Sequence, residues 1–337
     1  MSVGVGSGVG PKLALLAFGV ALSLLLSEVG LRAVAMLRPP AARPATDACE
    51  GLPDITRAQD LYAPWAHGCY NGVVHRTNGL GLRGARLAAK PDFRILVVGD
   101  SVAMGSGVEE AQTYSARLEQ SLNEADTARS VEVVNAGVAG FNIERVAQRA
   151  ERLAPRLAPD LIVYGYTLND LEGEGYVKTS GTWGELRGSP SALVRFLGPR
   201  LFELAELVSS PRGSYVRELA DNYRDNRKTA ARLRAGLERM RRIGERESAC
   251  VVVFLHTYLF HLNRWHPMAE FYDRVAQSAQ ALGLSPVHSL PSVVGRKRDA
   301  LWVGRVDPHP NAEGHARFAG ALEAGLRGLP DSCHAGF

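Results

Sequence analysis

Three residues in this sequence are of the types that acyl transfer needs. Gly99-Asp100-Ser101 closes an apolar run, and Asp307-Pro308-His309-Pro310-Asn311 stands far downstream, just before a C-terminal helical stretch. A serine hydroxyl is a weak nucleophile until a base takes its proton, and imidazole has a suitable pKa for that task. The imidazole needs a carboxylate to fix its tautomer and stabilise its charge. Ser101 offers the hydroxyl and His309 the base, while Asp307 is near enough in sequence to orient it. A tetrahedral oxyanion also needs donors set in place beforehand, and losing one typically costs about 10²–10³ in rate. The backbone N–H groups of Ser101 and Gly140 and the side-chain amide of Asn169 are the candidate donors. Glycine at 140 suits a backbone that must come close to a substrate. Asp100, Asp170 and Asn311 flank these groups as supporting residues, Asp100 as a brace for the turn. This chemistry calls for no cofactor and no metal.

The elements that would position these residues alternate regularly. Arg94–Gly99, Val131–Asn135, Leu161–Tyr164 and Val251–Leu255 are short apolar runs of the kind that form buried strands, and Ser285–His288 is a candidate fifth. Helical spacing is read over Thr113–Asn123, Ile143–Leu157 (closed by Pro155 and Pro159), Arg217–Glu247, Phe271–Leu282 and Ala312–Leu326. Strands alternating with helices predict a parallel sheet covered on both faces. Ligands in such sheets sit beyond the carboxyl ends of the strands. Ser101, Gly140 and Asn169-Asp170 each follow the end of one predicted strand.

Gly-Asp-Ser alone is a common turn, and a lone histidine is more often a surface residue. Four blocks in order are a different matter. Gly99-Asp100-Ser101, Gly140, Asn169-Asp170 and Asp307-x-His309-Pro-Asn311 resemble the motif blocks of SGNH/GDSL hydrolases over roughly residues 93–328. The resemblance implies a flavodoxin-like α/β/α fold and esterase, lipase, thioesterase or carbohydrate O-acyl chemistry. The lead-in Asn78-Gly79-Leu80-Gly81-Leu82-Arg83 is similar to a membrane-anchored bacterial branch, whose catalytic domain lies outside the cytoplasm. Two positions depart from the common pattern. Asp307 precedes His309 by two residues where many members have three, as in polysaccharide acetyltransferase relatives, and Thr167 replaces the glycine expected ahead of Asn169. Ala103 occupies the last position of what would be a Gly-x-Ser-x-Gly elbow, which argues against an α/β-hydrolase fold.

With 337 residues, 46% apolar and 22% charged, the chain is long enough for a large buried core. A net charge of +4 without a basic stripe excludes nucleic acid as the expected partner. From Leu13 to Leu31 the sequence is apolar except for Ser23, Ser27 and Glu28, and a membrane-crossing helix needs about 20 such residues. It is read as a retained single-pass anchor, with a cleaved signal peptide or a buried helix as the alternatives. Lys12 precedes the segment while Arg32, Arg38 and Arg43 follow it, which favours a cytoplasmic body; the short N-terminal tail argues the other way. The family resemblance sets the expectation of an extracytoplasmic catalytic domain, in the manner of a bacterial periplasmic protein.

The expected organisation is a tail, anchor and Pro-rich spacer over 1–45, a lead-in over 46–92, a catalytic domain over 93–328 and a tail over 329–337. Within it, 171–217 is either a cap over the site or a surface excursion. Cys49 and Cys69 could pair in an oxidising compartment, or remain apart. Cys250 reads as a buried core thiol and Cys333 lies in a polar tail. His256, His261 and His266 recur every five residues, a spacing that puts them on different faces of a helix or strand and not around a metal. The expected activity is hydrolysis of an ester, on acetyl groups of a cell-envelope glycan or on a lipid. An acyltransferase to sugar hydroxyls would use the same parts, and an inactive, membrane-anchored glycan-binding protein is the competing class.

Overall fold

The computed structural model describes residues 9–37, 47–55, 57–84, 87–172, 189–198, 201, 219–220, 223–224, 227–304 and 307–334. Contacts divide the chain into two units, one of Met1–Arg43 with Gly175–Glu218 and one of Pro44–Glu174 with Leu219–Phe337.

In the first unit, helix α1 (Val9–Leu37) contains Lys12–Val34, a stretch of 23 residues long and apolar enough to cross a membrane. Its apolar side chains are exposed on every side, Leu13, Leu16, Phe18 and Leu26 among them. A helix apolar all round belongs in a core or a bilayer. The one acid in the stretch, Glu28, pairs with Arg32 at 2.7 Å and accepts from Ser191 Oγ and the backbone N–H groups of Ala192 and Leu193, each at 2.8 Å. It thereby caps the helical segment 192–198. Most of the segment expected as a cap, including Trp183 and Phe202, lies outside the described residues.

The second unit is built on five parallel strands, β3 (Phe93–Gly99), β4 (Val131–Asn135), β5 (Leu161–Tyr166), β6 (Cys250–Leu255) and β7 (Ser285–His288), in the order β4-β3-β5-β6-β7. This is the flavodoxin-like order, with the expected sheet borne out. The strands are nearly continuous apolar runs because both faces are covered. Helices α3 (Tyr114–Ala125) and, at the C-terminus, α8 (Ala312–Leu326) pack against each other on one side, and the single turn α7 (Leu290–Val293) packs against α8. On the other lie α4 (Ile143–Leu157), α5 (Arg227–Glu247) and α6 (Ala269–Gln280). Leu233, Leu237, Met240 and Ile243 form the buried stripe of α5, as their spacing predicts. Some of its charges are not simply solvated: Arg232 pairs with Glu144 and Arg239 with Glu151, both on α4. The expected start of this helix at Arg217 lies outside the described residues. Helix α4 ends at Leu157 as expected, with Pro155 lying inside its last turn.

Two short antiparallel ladders complete the unit. Hairpin β1 (His67–Tyr70) and β2 (Val73–Arg76) precedes the sheet. Its turn, Asn71-Gly72, has φ of 49° and 83°, the left-handed pair that matches strand twist in a two-residue hairpin. The second ladder, β8 (Trp302–Gly304) with β9 (Asp307–Pro310), places Asp307 and His309 on a strand where the sequence shows only a loop before the last helix.

All four cysteines pair. Cys49 is bonded to Cys69, and Cys250 to Cys333, so the expectation of a free core thiol at 250 is corrected. Beyond α8 the chain turns back, burying Leu329 and bringing Cys333 on the short helix α9 (Asp331–His334) to the first residue of β6.

Helix α2 (Ser101–Met104), which starts at Ser101, is a single turn, too short to satisfy the carbonyls of its last residues. Arg83, 7% exposed, reaches across from the lead-in to carbonyls at the end of this turn and just beyond it: Nη1 donates to those of Met104 and Gly105, and Nη2 to that of Val108, each at 2.6 Å. Asn135 at the end of β4 donates to the Ala103 carbonyl at 3.0 Å. Burial pulls the Arg83 guanidinium down to about 10, so it remains charged at neutral pH. Arg83→Met keeps most of the stem and removes these donors. It is expected to destabilise the protein by about 2–4 kcal/mol, read from urea unfolding, because three carbonyls lose a charged donor and only those of Met104 and Gly105 keep a second one.

Candidate active site

The register of the sheet brings three strand ends together. β3 lies between β4 and β5, with Val97 opposite Asn135 and Gly99 opposite Gly165. Ser101, two residues past β3, therefore stands between the loop that carries Gly140 and the 3₁₀ turn Leu168–Leu171 that carries Asn169. This is the point where successive connections leave on opposite faces of the sheet, and such sheets open a crevice there.

Asp100 is the N-cap of α2 and accepts from the Val102 N–H at 2.9 Å. Gly137 allows the helix to sit close, because a Cβ there would lie 2.3 Å from the Met104 nitrogen. Ser101 is left partly exposed, and its Oγ is 2.9 Å from His309 Nε2. On the far side of the ring, His309 Nδ1 is 2.5 Å from Asp307 Oδ1, which also accepts the His309 backbone N–H at 3.1 Å. The two-residue spacing is explained by β9: alternate residues of a strand face the same way, so Asp307 and His309 project together. Asn311 holds the end of that strand, donating to the carbonyls of Ala300 and Trp302 and capping α8 through the N–H groups of Glu313 and Gly314.

Electrostatics separate the three groups. Burial raises the Asp307 carboxyl, but hydrogen bonds from His309 and from Asn71 outweigh it and leave it at about 2. Burial depresses His309, yet the Asp307 carboxylate prevails and its pKa stands above the ordinary 6.5. Hydroxyl, imidazole and ionised carboxylate in series can move a proton from Ser101 to Nε2 and hold the resulting charge.

The oxyanion candidates are placed as follows. Gly140 is exposed at φ 76°, with open space where a Cβ would stand. Asn169 is half-buried on the 3₁₀ turn. Tyr223 Oη donates to the Leu168 carbonyl at 2.7 Å and so pins this turn from behind. Asp170 is fully buried and accepts from Tyr164 Oη at 2.6 Å, and burial, reinforced by the Asp100 charge, pushes its pKa well up. Thr167, at the position where glycine was expected, is buried with its hydroxyl 3.4 Å from His256 Nδ1. It also donates to Asp100, whose pKa is raised by burial.

His256, His261 and His266 do not converge, and no cluster of metal-ligating side chains occurs among the described residues. His256 stacks on Phe318 at 5.6 Å and is driven by burial down to about 3, and His315 is likewise held neutral, accepting the Tyr114 N–H. Sequence reading missed three residues around the site: Arg83 and Asn135, which grip α2, and Asn71, whose Nδ2 lies 2.8 Å from Asp307 Oδ2. The Asn71-Gly72 pair was a readable hairpin signal. Its reach to Asp307, 236 positions away, was not.

Solved structures similar to this chain include TesA, at 21% identity over 70% of this chain and 99% of that one, with a TM-score of 0.45. A catalytic mutant of Axe2, an acetylxylan esterase from Geobacillus stearothermophilus, is 14% identical over 71% and 96%, with a TM-score of 0.44. A two-domain esterase (CEX) active on acetylated mannans is 16% identical over 70% and 49%, with a TM-score of 0.44. No curated protein matches. The GDSL-like lipase/acylhydrolase family model matches residues 97–317, a span that begins on β3, holds Ser101, Gly140 and Asn169, and closes beyond His309. This chain belongs to the GDSL-like lipase/acylhydrolase family and is a serine esterase of that kind.

Proposed function

We propose that Ser101, His309 and Asp307 form a catalytic triad that cleaves O-acyl esters of the cell envelope through an acyl-enzyme. The substrate is an acetylated glycan or a lipid ester. The observation that carries the reading is the unbroken series Ser101 Oγ to His309 Nε2 at 2.9 Å and His309 Nδ1 to Asp307 Oδ1 at 2.5 Å.

In the first step Ser101 Oγ attacks the ester carbonyl carbon and its proton passes to His309 Nε2. Asp307 holds the Nδ1 proton and stabilises the imidazolium without taking that proton. The carbonyl oxygen becomes an oxyanion, received by the N–H groups of Ser101 and Gly140 and the Asn169 amide. Collapse expels the alcohol, which leaves with the proton from His309. Water then repeats the sequence on the acyl-serine, releasing acid and free Ser101.

The envelope assignment is supported by the apolar stretch Lys12–Val34 as a membrane anchor and by two disulfides, which persist in oxidising compartments. They favour a catalytic unit outside the cytoplasm. Protease added to intact spheroplasts should then degrade that unit.

Ser101→Ala should abolish labelling by a fluorophosphonate probe, and Asp307→Asn should lower kcat by roughly 10⁴ by releasing the wrong tautomer. Undiminished labelling of Ser101→Ala would overturn the assignment. With an activated acetyl ester as donor and an oligosaccharide as acceptor, acetylated oligosaccharide appearing in place of acetate would identify a transferase instead.

The pH dependence follows from His309. The base must be neutral to accept the serine proton, and its pKa is raised above 6.5, so kcat/KM should fall on the acid side through an apparent pKa above 6.5. A limb near 4 would place the titrating group elsewhere.

A further inference from the structure

The Asp307 carboxylate has two oxygens, and the triad uses one. Oδ1 takes both contacts from His309, the backbone N–H at 3.1 Å and ring Nδ1 at 2.5 Å. Oδ2 is met by Asn71 Nδ2 at 2.8 Å. Asn71 lies in the β1–β2 hairpin, upstream of the segment that the family model spans.

The contact is built on several sides. Asn71 adopts a left-handed φ of 49° at the tip of the hairpin, in the Asn-Gly turn. Its Nδ2 is also 3.1 Å from Ser106 Oγ, just past the nucleophile helix, so one amide touches both halves of the site. Gly107 leaves the space, since a Cβ there would lie 2.9 Å from Asn71 Nδ2. The neighbouring Tyr70 hydroxyl bonds Ser106 as well. Two residues before Asn71, Cys69 is joined to Cys49, and its backbone N–H donates to Pro53 while its carbonyl accepts from Ile55. The turn is therefore held at its root.

Asp307 itself has little local support. Its strand pairs with a partner of three residues in an irregular register. A carboxylate fixed through one oxygen can rotate about its Cβ–Cγ bond, and the imidazole would turn with it. A donor on the second oxygen fixes the plane, and small displacements of a reacting group can cost about a hundredfold in rate.

The geometry points to Asn71 as a positioning residue of the triad, donated by the N-terminal hairpin to lock the Asp307 carboxylate plane and thereby the His309 ring. This rests on the triad reading above. Two substitutions test it in the full-length protein. Asn71→Gly keeps a turn that tolerates positive φ and deletes the amide; Asn71→Asp keeps the shape and replaces a donor with an acceptor. For Asn71→Gly, kcat on an activated acetyl ester should fall roughly ten- to a hundredfold with KM unchanged. For Asn71→Asp, kcat should fall too, and the acid limb should move to higher pH because a second carboxylate favours the imidazolium.

Ser101→Ala is measured alongside. A folded Asn71→Gly protein with the kcat of the parent overturns the inference while an inactive Ser101→Ala leaves the triad standing. Full activity in Ser101→Ala removes both. Should Asn71→Gly not fold, Asn71→Asp decides alone: unchanged kcat and an unmoved limb reject the positioning role.

Discussion

A helix of one turn cannot hold itself, and this protein places Ser101, the proposed nucleophile, at the start of one. The Ser101 and Val102 carbonyls are met locally by the N–H groups of Gly105 and Ser106, but those of Ala103 and Met104 must find partners elsewhere. Asp100 takes the front, while Arg83 and Asn135 take the carbonyls at the back. The partners come from before the sheet and from the neighbouring strand, so the position of Ser101 is a tertiary property. Only a docked lead-in and a completed β3–β4 pair give it a defined place.

The remaining polar groups beneath the site are sorted by burial. His256 and His315 are enclosed by aromatic rings and stay neutral, whereas His309 keeps a carboxylate beside it and titrates higher. Asp170 is buried against a tyrosine and driven towards its neutral form, while Asp307 is supplied with donors and driven towards its charged form. The same residue types thus acquire opposite character from their surroundings, and one imidazole beside Ser101 is left with the properties of a base.

Much of this was legible in the sequence, for identifiable reasons. Val131–Asn135, Ile143–Leu157, Ser285–His288 and Ala312–Leu326 were read with the bounds the structure gives, because apolar runs of the right period end at glycine, proline or a capping residue. The positions of Ser101, Gly140 and Asn169 at strand ends followed from the same pattern. What escaped reading was non-local or too short. β8 and β9 have three and four residues, and Pro308 and Pro310 obscure any alternation. The Cys250–Cys333 bond spans 83 positions and depends on the chain turning back after α8, which no local feature announces. Asn71 and Arg83 act through single side chains across tertiary contacts, where a sequence carries composition but no distance.

The extended backbone at Asp307–Pro310 restricts how this corner of the molecule can vary. Since neighbours on a strand point to opposite sides, gaining or losing one residue between Asp307 and His309 would turn the acid away from the ring and present a proline ring or another side chain in its stead. Spacing and backbone shape must therefore change together: a lineage that moves the acid one place further from the imidazole has to trade the strand for a bend at the same time.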